Sequence, residues 1–184
     1  HYQQKSKQTY LKNKIRLDYY KIFIFDDNLI VFDNMIKGIK NKIVGTYRLI
    51  RGDVASHFGG FYTSSEFDLT KILNAYKHKE ILELGRSCVH KDYRNGTIMN
   101  LLWKAIAEYV KLYDIKVLLG CASFPGKDVQ VFSKELCYLK SNFSLSEEVS
   151  VKSLVNNNYP AYNKNNINKS DLRTFDKLLS LIIG

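Results

Sequence analysis

In the first third of the chain, short polar breaks separate apolar stretches, a pattern typical of strands and turns. Apolar residues on both sides of a break at 26–28 predict a loop that leads into a buried strand. Residues 34–41 predict a turn, and the β-branched and aromatic residues of 43–50 predict a strand that completes a hairpin with the preceding one. Residues 1–20 are basic and tyrosine-rich without a clear period, so we expect a mobile arm there.

The middle of the chain contains the clearest helix. Residues 52–66 are rich in glycine and serine and predict a loop long enough to be functional, after which Asp68 is expected to cap a short helix through about residue 76. Residues 81–89 predict a strand. Apolar residues at helical spacing then predict an amphipathic helix over 98–112.

Strand and helix follow one another again toward the end of the chain. Residues 117–124 predict a buried strand, and residues 127–138 predict a helix behind it. An Asn- and Lys-rich stretch at 155–170 predicts a flexible loop before a final helix from residue 171. We therefore expect an α/β (α+β) fold, with residues 1–184 forming a single domain.

Composition excludes several classes of protein. A hydrophobic fraction of 45% is too high for a disordered chain, and no apolar run is long enough for a transmembrane helix. The 28 basic residues exceed the 18 acidic ones, which gives a net charge of +10 and favours an acidic partner. The alternative is compositional drift from AT-rich coding, because 22 of the cations are lysines and asparagine and isoleucine are abundant.

Three widely spaced cysteines indicate neither a disulfide framework nor a zinc site, which fits a reducing cytoplasm. The chain does not begin with methionine, shows no signal-peptide pattern and stops within an apolar run, so we expect it to be incomplete at both ends. Cys88 could act as a nucleophile, but His90 is the one candidate base near it in the sequence. The alternative is that Cys88 is a small core residue. Ser87 and Ser123 lack the glycine setting of a serine hydrolase.

Glu83 is a candidate general base, because a carboxylate inside an apolar strand is costly unless it is paired or faces a cleft. The alternative is an ion pair with Arg86 or Arg48. Strict alternation would place Glu83 and Arg86 on opposite faces of the strand. Joint action of the two residues therefore requires a β-bulge near Gly85.

Two further groups of polar residues suggest binding. Arg94 and Gly96 open the long helix, whose first-turn amides could hold a phosphate, although a plain turn is the alternative. Asp26, Asp27 and Arg48 lie at the edges of apolar strands and could recognise the amine and carboxylate of a substrate. For the aspartates, turn capping is the alternative.

Several sequence strings, taken together, resemble one family. They are Val44-Gly45-Thr46-Tyr47-Arg48-Leu49, Glu83-Leu84-Gly85-Arg86-Ser87-Cys88-Val89 and Leu119-Gly120-Cys121-Ala122-Ser123-Phe124. Shorter matches occur in the same order, so the resemblance spans roughly residues 20–138. The chain resembles the ornithine-acyl-carrier-protein N-acyltransferases of ornithine lipid synthesis, often labelled hemolysin-like. These enzymes are related to acyl-homoserine-lactone synthases within the GNAT acetyltransferase superfamily, whose fold is a mixed, mostly antiparallel sheet flanked by helices.

The resemblance implies transfer of a 3-hydroxyacyl chain from an acyl-carrier-protein thioester to the α-amine of ornithine by direct attack. No tightly bound cofactor is implied, since the phosphopantetheine thioester is a co-substrate. Glu83 would take the amine proton. The amino acid would be oriented by four residues, Asp26, Asp27, Arg48 and Arg86. Residues implied to contact the carrier or its pantetheine arm are Ser87, Cys88, Val89, Lys91, Arg94, Gly96 and Lys104.

The resemblance also gives the basic surface an expected partner, because acyl carrier proteins are acidic. An anionic membrane would suit the same charge, so we expect a cytoplasmic protein, with association at the inner face of the membrane as an alternative. Two other functions stay open: an acyl-homoserine-lactone-synthase-like enzyme, and a non-catalytic remnant that binds carrier protein or membrane. Specific nucleic-acid binding is not expected, because the positive net charge is the one feature of the sequence that would support it.

Overall fold

The computed structural model describes residues 20–25, 28–33, 42–122 and 129–154. These residues form two compact units, the larger within 20–65 and 73–121 and the smaller within 66–72 and 122–154. The predicted arm, the turn at 34–41, the loop at 155–170 and the helix from 171 lie outside the described residues, as do Asp26 and Asp27. The assignment of a single domain stays a prediction.

Seven strands and four α-helices occur in the described parts of the chain. In chain order they are β1 (Tyr20–Phe25), β2 (Asn28–Asp33), β3 (Lys42–Arg51), α1 (Gly52–Ala55), β4 (Phe67–Asp68), α2 (Thr70–Ala75), β5 (Ile81–Val89), α3 (Thr97–Tyr113), β6 (Val117–Leu119), α4 (Ser133–Phe143) and β7 (Lys152–Ser153).

The larger unit is built on a five-stranded sheet with the order β1-β2-β3-β5-β6. The strands from β1 to β5 pair antiparallel, and β5 pairs parallel to β6. The sheet is thus mixed and mostly antiparallel with helices beside it, which confirms the predicted fold class. The predicted hairpin of β2 with β3 is confirmed, whereas no strand was predicted for the apolar residues before the break at 26–28, which form β1. Ile22 and Ile24 instead pair with Val31 and Leu29 of β2.

Helix α3 supplies one wall of the core against this sheet. Its apolar residues recur at helical spacing, so they form one stripe that is buried while the opposite side stays polar. Each fully buried Leu or Ile side chain contributes about 1.5–3 kcal/mol to the free energy of unfolding. The buried residues of the helix are Ile98, Leu101, Leu102, Ala105, Ile106 and Tyr109. Their sheet partners in the core include Leu29, Val31, Val44, Leu49 and Leu82.

Two predicted elements have different bounds in the structure. The strand predicted over 117–124 ends at Leu119, where a Cβ on Gly120 would lie 2.5 Å from the carbonyl oxygen of Leu84. The helix predicted over 127–138 begins only at Ser133, because Val129–Phe132 forms a 3₁₀ turn, and it continues to Phe143. The loop predicted over 52–66 contains α1 and two 3₁₀ turns, Ser56–Phe58 and Tyr62–Ser65.

The smaller unit contains the antiparallel pair β4 and β7 and the helix α4. Asp68 caps the start of α2, as predicted, since its Oδ1 accepts a hydrogen bond of 2.9 Å from the backbone N–H of Thr70. Lys71 in turn donates to the carbonyl oxygen of Glu147, at 2.5 Å. None of the helices that the structure describes is both long and apolar enough to cross a membrane.

Candidate active site

A β-bulge interrupts the pairing of β3 with β5 at Gly85. Tyr47 pairs with Ser87 and Leu49 with Leu84, so that Gly85 and Arg86 together lie opposite the single residue Arg48. Three successive residues after the bulge, 86–88, are exposed, which strict alternation would not allow. The bulge that joint action of Glu83 and Arg86 would require near Gly85 is therefore present.

Glu83 lies two residues before Gly85 on β5 and is 1% exposed. Its Oε1 accepts hydrogen bonds from the backbone N–H of Thr63, at 2.7 Å, and from the Thr63 hydroxyl, at 2.6 Å. Its Oε2 accepts from the backbone N–H of Tyr62, at 3.1 Å. The buried charge is thus stabilised by three donors. The ion pair considered from the sequence, with Arg86 or Arg48, is not among those that the described residues form.

Thr63 connects this carboxylate to a cysteine thiol. The Sγ of Cys121 lies 3.8 Å from the Thr63 hydroxyl oxygen, within hydrogen-bonding range for sulfur. Thr63 carries no distinguishing sequence signal, since nothing in the pattern of the loop separates it from its serine neighbours. Cys88, Cys121 and Cys137 form no disulfide among the described residues.

A cleft of about 490 Å³ opens beside the bulge. Its walls come from β2, β3 and the segment that Glu83 anchors. The described residues that line it are Asn28, Arg48, Ile50, Val54, Ala55, Phe58, Gly59, Gly60, Phe61 and Tyr62. Arg48 is the one charged side chain in this described lining, so the cleft combines apolar walls with a single cation.

Arg48 lies flat against the backbone of the bulge. A Cβ added to Gly85 would be 2.5 Å from Nε, 2.7 Å from Nη2 and 2.9 Å from Cζ of Arg48, so a larger residue at position 85 would force the guanidinium to move. The buried Nε has no hydrogen-bond partner among the described residues. The structure thus places Arg48 at the cleft and beside Gly85. Gly85 itself lies two residues after Glu83 along β5.

Arg51, the other arginine of β3, already has a carboxylate partner. Arg51 donates to both carboxylate oxygens of Asp53, at 2.9 and 2.8 Å, and lies 4.2 Å from the ring centroid of Tyr113. These hydrogen bonds raise the pKa of Arg51 and lower the pKa of Asp53. The pair fixes the start of the segment that forms the cleft wall.

Two side-chain hydrogen bonds connect the turn before α3 to strands of the sheet. The Tyr93 hydroxyl donates to the buried carboxylate of Asp33, at 2.8 Å, and this hydrogen bond raises the pKa of Tyr93 to about 12. Arg94 Nε donates to the carbonyl oxygen of Val89, at 3.0 Å. Gly96, at φ +92°, is the N-cap residue of α3 and provides no side-chain cap. At the start of the helix, the backbone N–H of Thr97 donates to Oδ1 of Asn95, at 3.1 Å, so this amide already has a partner and the phosphate site stays a prediction.

The structure locates the remaining predicted residues without testing their roles. Glu83 and Arg86 lie on β5 on either side of Gly85, and Arg48 lies opposite Gly85 and Arg86 on β3. Of these three, Arg48 alone is among the described residues that line the cleft. The last residue pair between β5 and β6 is Glu83 with Leu119. The part of β5 after Glu83 therefore extends beyond the end of β6. The predicted carrier-binding residues in this continuation and around the start of α3 are solvent-exposed except for the half-buried Val89; they are Ser87, Cys88, Lys91, Arg94, Gly96 and Lys104. Their roles stay predictions.

Comparison with known proteins identifies related sequences. The model of the acetyltransferase (GNAT) domain family matches residues 2–104, more than half of the chain. An L-ornithine N(alpha)-acyltransferase of Rhizobium meliloti is 40% identical over 126 residues, which cover 68% of this chain and 43% of that protein.

Two further relatives carry the same name. The protein of Rhodobacter capsulatus is 44% identical over 99 residues, 54% of this chain and 38% of its own. That of Brucella abortus is 35% identical over 129 residues, 70% of this chain and 46% of its own. The chain thus spans less than half the length of the curated relatives it matches. No solved structure matches significantly.

Proposed function

The chain belongs to the acetyltransferase (GNAT) domain family, and from this premise we propose that it transfers a 3-hydroxyacyl chain from an acyl-carrier-protein thioester to the α-amine of ornithine. The observation that carries the proposal is the identity of 35–44% to relatives named L-ornithine N(alpha)-acyltransferase. The cleft beside the Gly85 bulge supports it, because an amino acid and a thioester need such a site next to the sheet.

The proposed reaction is a direct acyl transfer. The neutral amine nitrogen attacks the thioester carbonyl carbon, the new C–N bond forms, and the C–S bond breaks as the tetrahedral intermediate collapses. The amine gives up one proton, and the departing thiolate of the carrier takes one up. The products are an amide and the free carrier thiol, so the step needs no further reactant.

Glu83 is the proposed general base for this transfer, because an ammonium cannot attack a thioester. Its carboxylate is buried and already accepts three hydrogen bonds from Tyr62 and Thr63. The amine proton would therefore reach it through a water molecule or through the Thr63 hydroxyl, which donates to Oε1. Glu83 has a second function in this scheme, since the same hydrogen bonds hold the wall of the cleft.

The proposed carrier site is the surface at the start of α3. Arg94 and Gly96 would hold the phosphate of the pantetheine arm with the helix amides, and Lys91 and Lys104 add exposed positive charge. Backbone amides near the bulge would polarise the thioester carbonyl. The net charge of +10 supports an acidic carrier as the partner, and an anionic membrane surface is a second expected contact.

A two-way panel of donors and acceptors tests the proposal. The purified chain is incubated with 3-hydroxyacyl carrier protein or the matching acyl-coenzyme A, and with ornithine, lysine or S-adenosylmethionine, and products are measured by mass spectrometry. We expect acyl-ornithine from the carrier-protein donor. A lactone product from S-adenosylmethionine would indicate the homoserine-lactone-synthase type. A folded chain that acylates no amine would overturn the proposal and favour a binding protein.

A further inference from the structure

We propose that Arg48 binds the α-carboxylate of the acceptor in the cleft and that Gly85 determines this specificity by leaving the guanidinium its place at the bulge. The acceptors would then be amines that carry a free α-carboxylate, rather than diamines in general. This inference rests on the proposed function and adds to it a residue pair that selects the substrate.

The position of Arg48 depends on the bulge. The two residues Gly85 and Arg86 face Arg48 alone, so the backbone of β5 bends at the point where the guanidinium lies. A Cβ at position 85 would come within 2.5–2.9 Å of three guanidinium atoms. Even alanine would therefore displace the charged group, while the paired residues Leu49 and Leu84 could keep their register.

The electrostatics of the cleft favour an anion at this point. The described lining contains no carboxylate to neutralise Arg48, and the Nε is buried without a partner among the described residues. A buried N–H without a partner is costly, and a carboxylate can accept two parallel hydrogen bonds from the planar guanidinium. By contrast, Arg51 on the same strand already binds Asp53 through both carboxylate oxygens. Among the described residues that line the cleft, Arg48 is thus the one cation, and no carboxylate of that lining binds it.

The remaining lining suits the rest of an amino acid. Ile50, Val54 and Phe61 provide apolar contacts for methylene groups, and Tyr62 adds an aromatic ring at the opening. The segment that carries Phe61 and Tyr62 is bound to Glu83. An acceptor whose carboxylate is held by Arg48 would therefore lie in the same cleft as the segment anchored by the candidate base.

The experiment compares ornithine with ornithinamide, which has the same size and amines but no carboxylate, and with 1,4-diaminobutane. We expect the wild-type chain to favour ornithine over ornithinamide by about 10- to 100-fold in kcat/KM, as a hydrogen-bonded ion pair would give. Arg48→Ala and Gly85→Ala should both bring this ratio close to one, chiefly by raising the KM for ornithine. Arg48→Lys should keep part of the preference. Lys79→Ala, which removes an exposed cation elsewhere, should leave the ratio unchanged.

A double-mutant cycle separates a specific effect of Gly85 from general damage. If Gly85 acts through Arg48, adding Gly85→Ala to Arg48→Ala should cause no further loss of preference for ornithine. Circular dichroism confirms that each variant is folded. Equal use of ornithine and ornithinamide by the wild-type chain would overturn the inference while leaving the proposed function intact.

A chain that acylates no amine would instead contradict the proposed function. In that case calorimetric titration of wild type and Arg48→Ala with ornithine and ornithinamide still decides the inference. Binding of ornithine that is selective over ornithinamide and is lost in Arg48→Ala would support it. Absence of such selective binding in the folded wild-type chain would overturn it.

Discussion

Thr63 donates both its backbone N–H and its hydroxyl to the same oxygen of Glu83, at 2.7 and 2.6 Å. The carboxylate therefore joins the central strand β5 to the segment that forms a wall of the cleft. A residue in this position can act in catalysis, in positioning, or in both. The two functions predict different behaviour in variants of the two residues.

Replacing Glu83 by glutamine should lower turnover at least ~100-fold, because the base that takes the amine proton is lost. Circular dichroism should show a folded chain, and the KM for carrier protein should change little. The measurement is the steady-state rate of amide formation. Near-normal turnover would remove Glu83 from the mechanism.

Replacing Thr63 by valine gives the matched control. The carboxylate keeps its charge and its two backbone donors and loses only the hydroxyl, so kcat should fall less than ~10-fold. The thermal midpoint should fall by a few degrees, as expected for one lost hydrogen bond. If Thr63→Val reduced kcat as strongly as Glu83→Gln, either the proton would reach Glu83 through the Thr63 hydroxyl and not through water, or Glu83 would act only by holding the cleft wall.

Arg94→Ala should weaken the use of acyl carrier protein more than the use of ornithine. Its side chain is exposed at the turn before α3, where a phosphate would bind, while the cleft lies beside Gly85. We expect the KM for carrier protein to rise about 10-fold, and the rise to shrink in high salt. Equal increases in the KM of both substrates would place Arg94 away from the phosphate.

Stability in alkali should depend on Tyr93. Its hydrogen bond to Asp33 raises its pKa from the ordinary 10.0 to about 12, so the folded state favours the neutral phenol. The stabilisation is fully present below pH 10 and is lost as pH rises toward 12. The free energy of unfolding, measured in urea between about pH 9 and about pH 11.5, should fall more steeply with pH for the wild type than for Tyr93→Phe. Parallel curves would contradict this role of the hydrogen bond.

Stability in acid should depend on Asp53. The hydrogen bonds from Arg51 lower its pKa below the ordinary 3.8, so the folded state favours the carboxylate. The contribution is present above pH 3.8 and is lost as pH falls through the lower pKa of the folded state. The difference in free energy of unfolding between wild type and Asp53→Asn should therefore be largest near neutral pH and shrink below about pH 4. A difference independent of pH would exclude this ion pair as its source.

Strong local patterns predicted part of the fold accurately. The strand Ile81–Val89 was predicted to the residue and the helix Thr97–Tyr113 to within one residue at each end, because an apolar run and a helical stripe leave few alternatives. The sequence also indicated Gly85 as the residue where a bulge would form if Glu83 and Arg86 serve one site, and the structure has a bulge there.

Tertiary contacts explain what the sequence did not predict. The anchoring of Thr63 by Glu83 joins residues that are far apart along the chain, and no local pattern records it. The late start of α4 at Ser133 was missed because Val129–Phe132 already carries apolar residues but forms a 3₁₀ turn. The position of Arg48 against Gly85 depends on strand pairing, which composition and periodicity cannot supply.

The most direct test of the central claim is the position of the acyl group in the product. The chain is incubated with 3-hydroxyacyl carrier protein and ornithine, and the product is analysed by tandem mass spectrometry. Acyl transfer to the α-nitrogen predicts fragments in which the δ-amine is free and the α-nitrogen carries the acyl mass. An acyl group on the δ-nitrogen, or no acylated ornithine from a folded chain, would contradict the account.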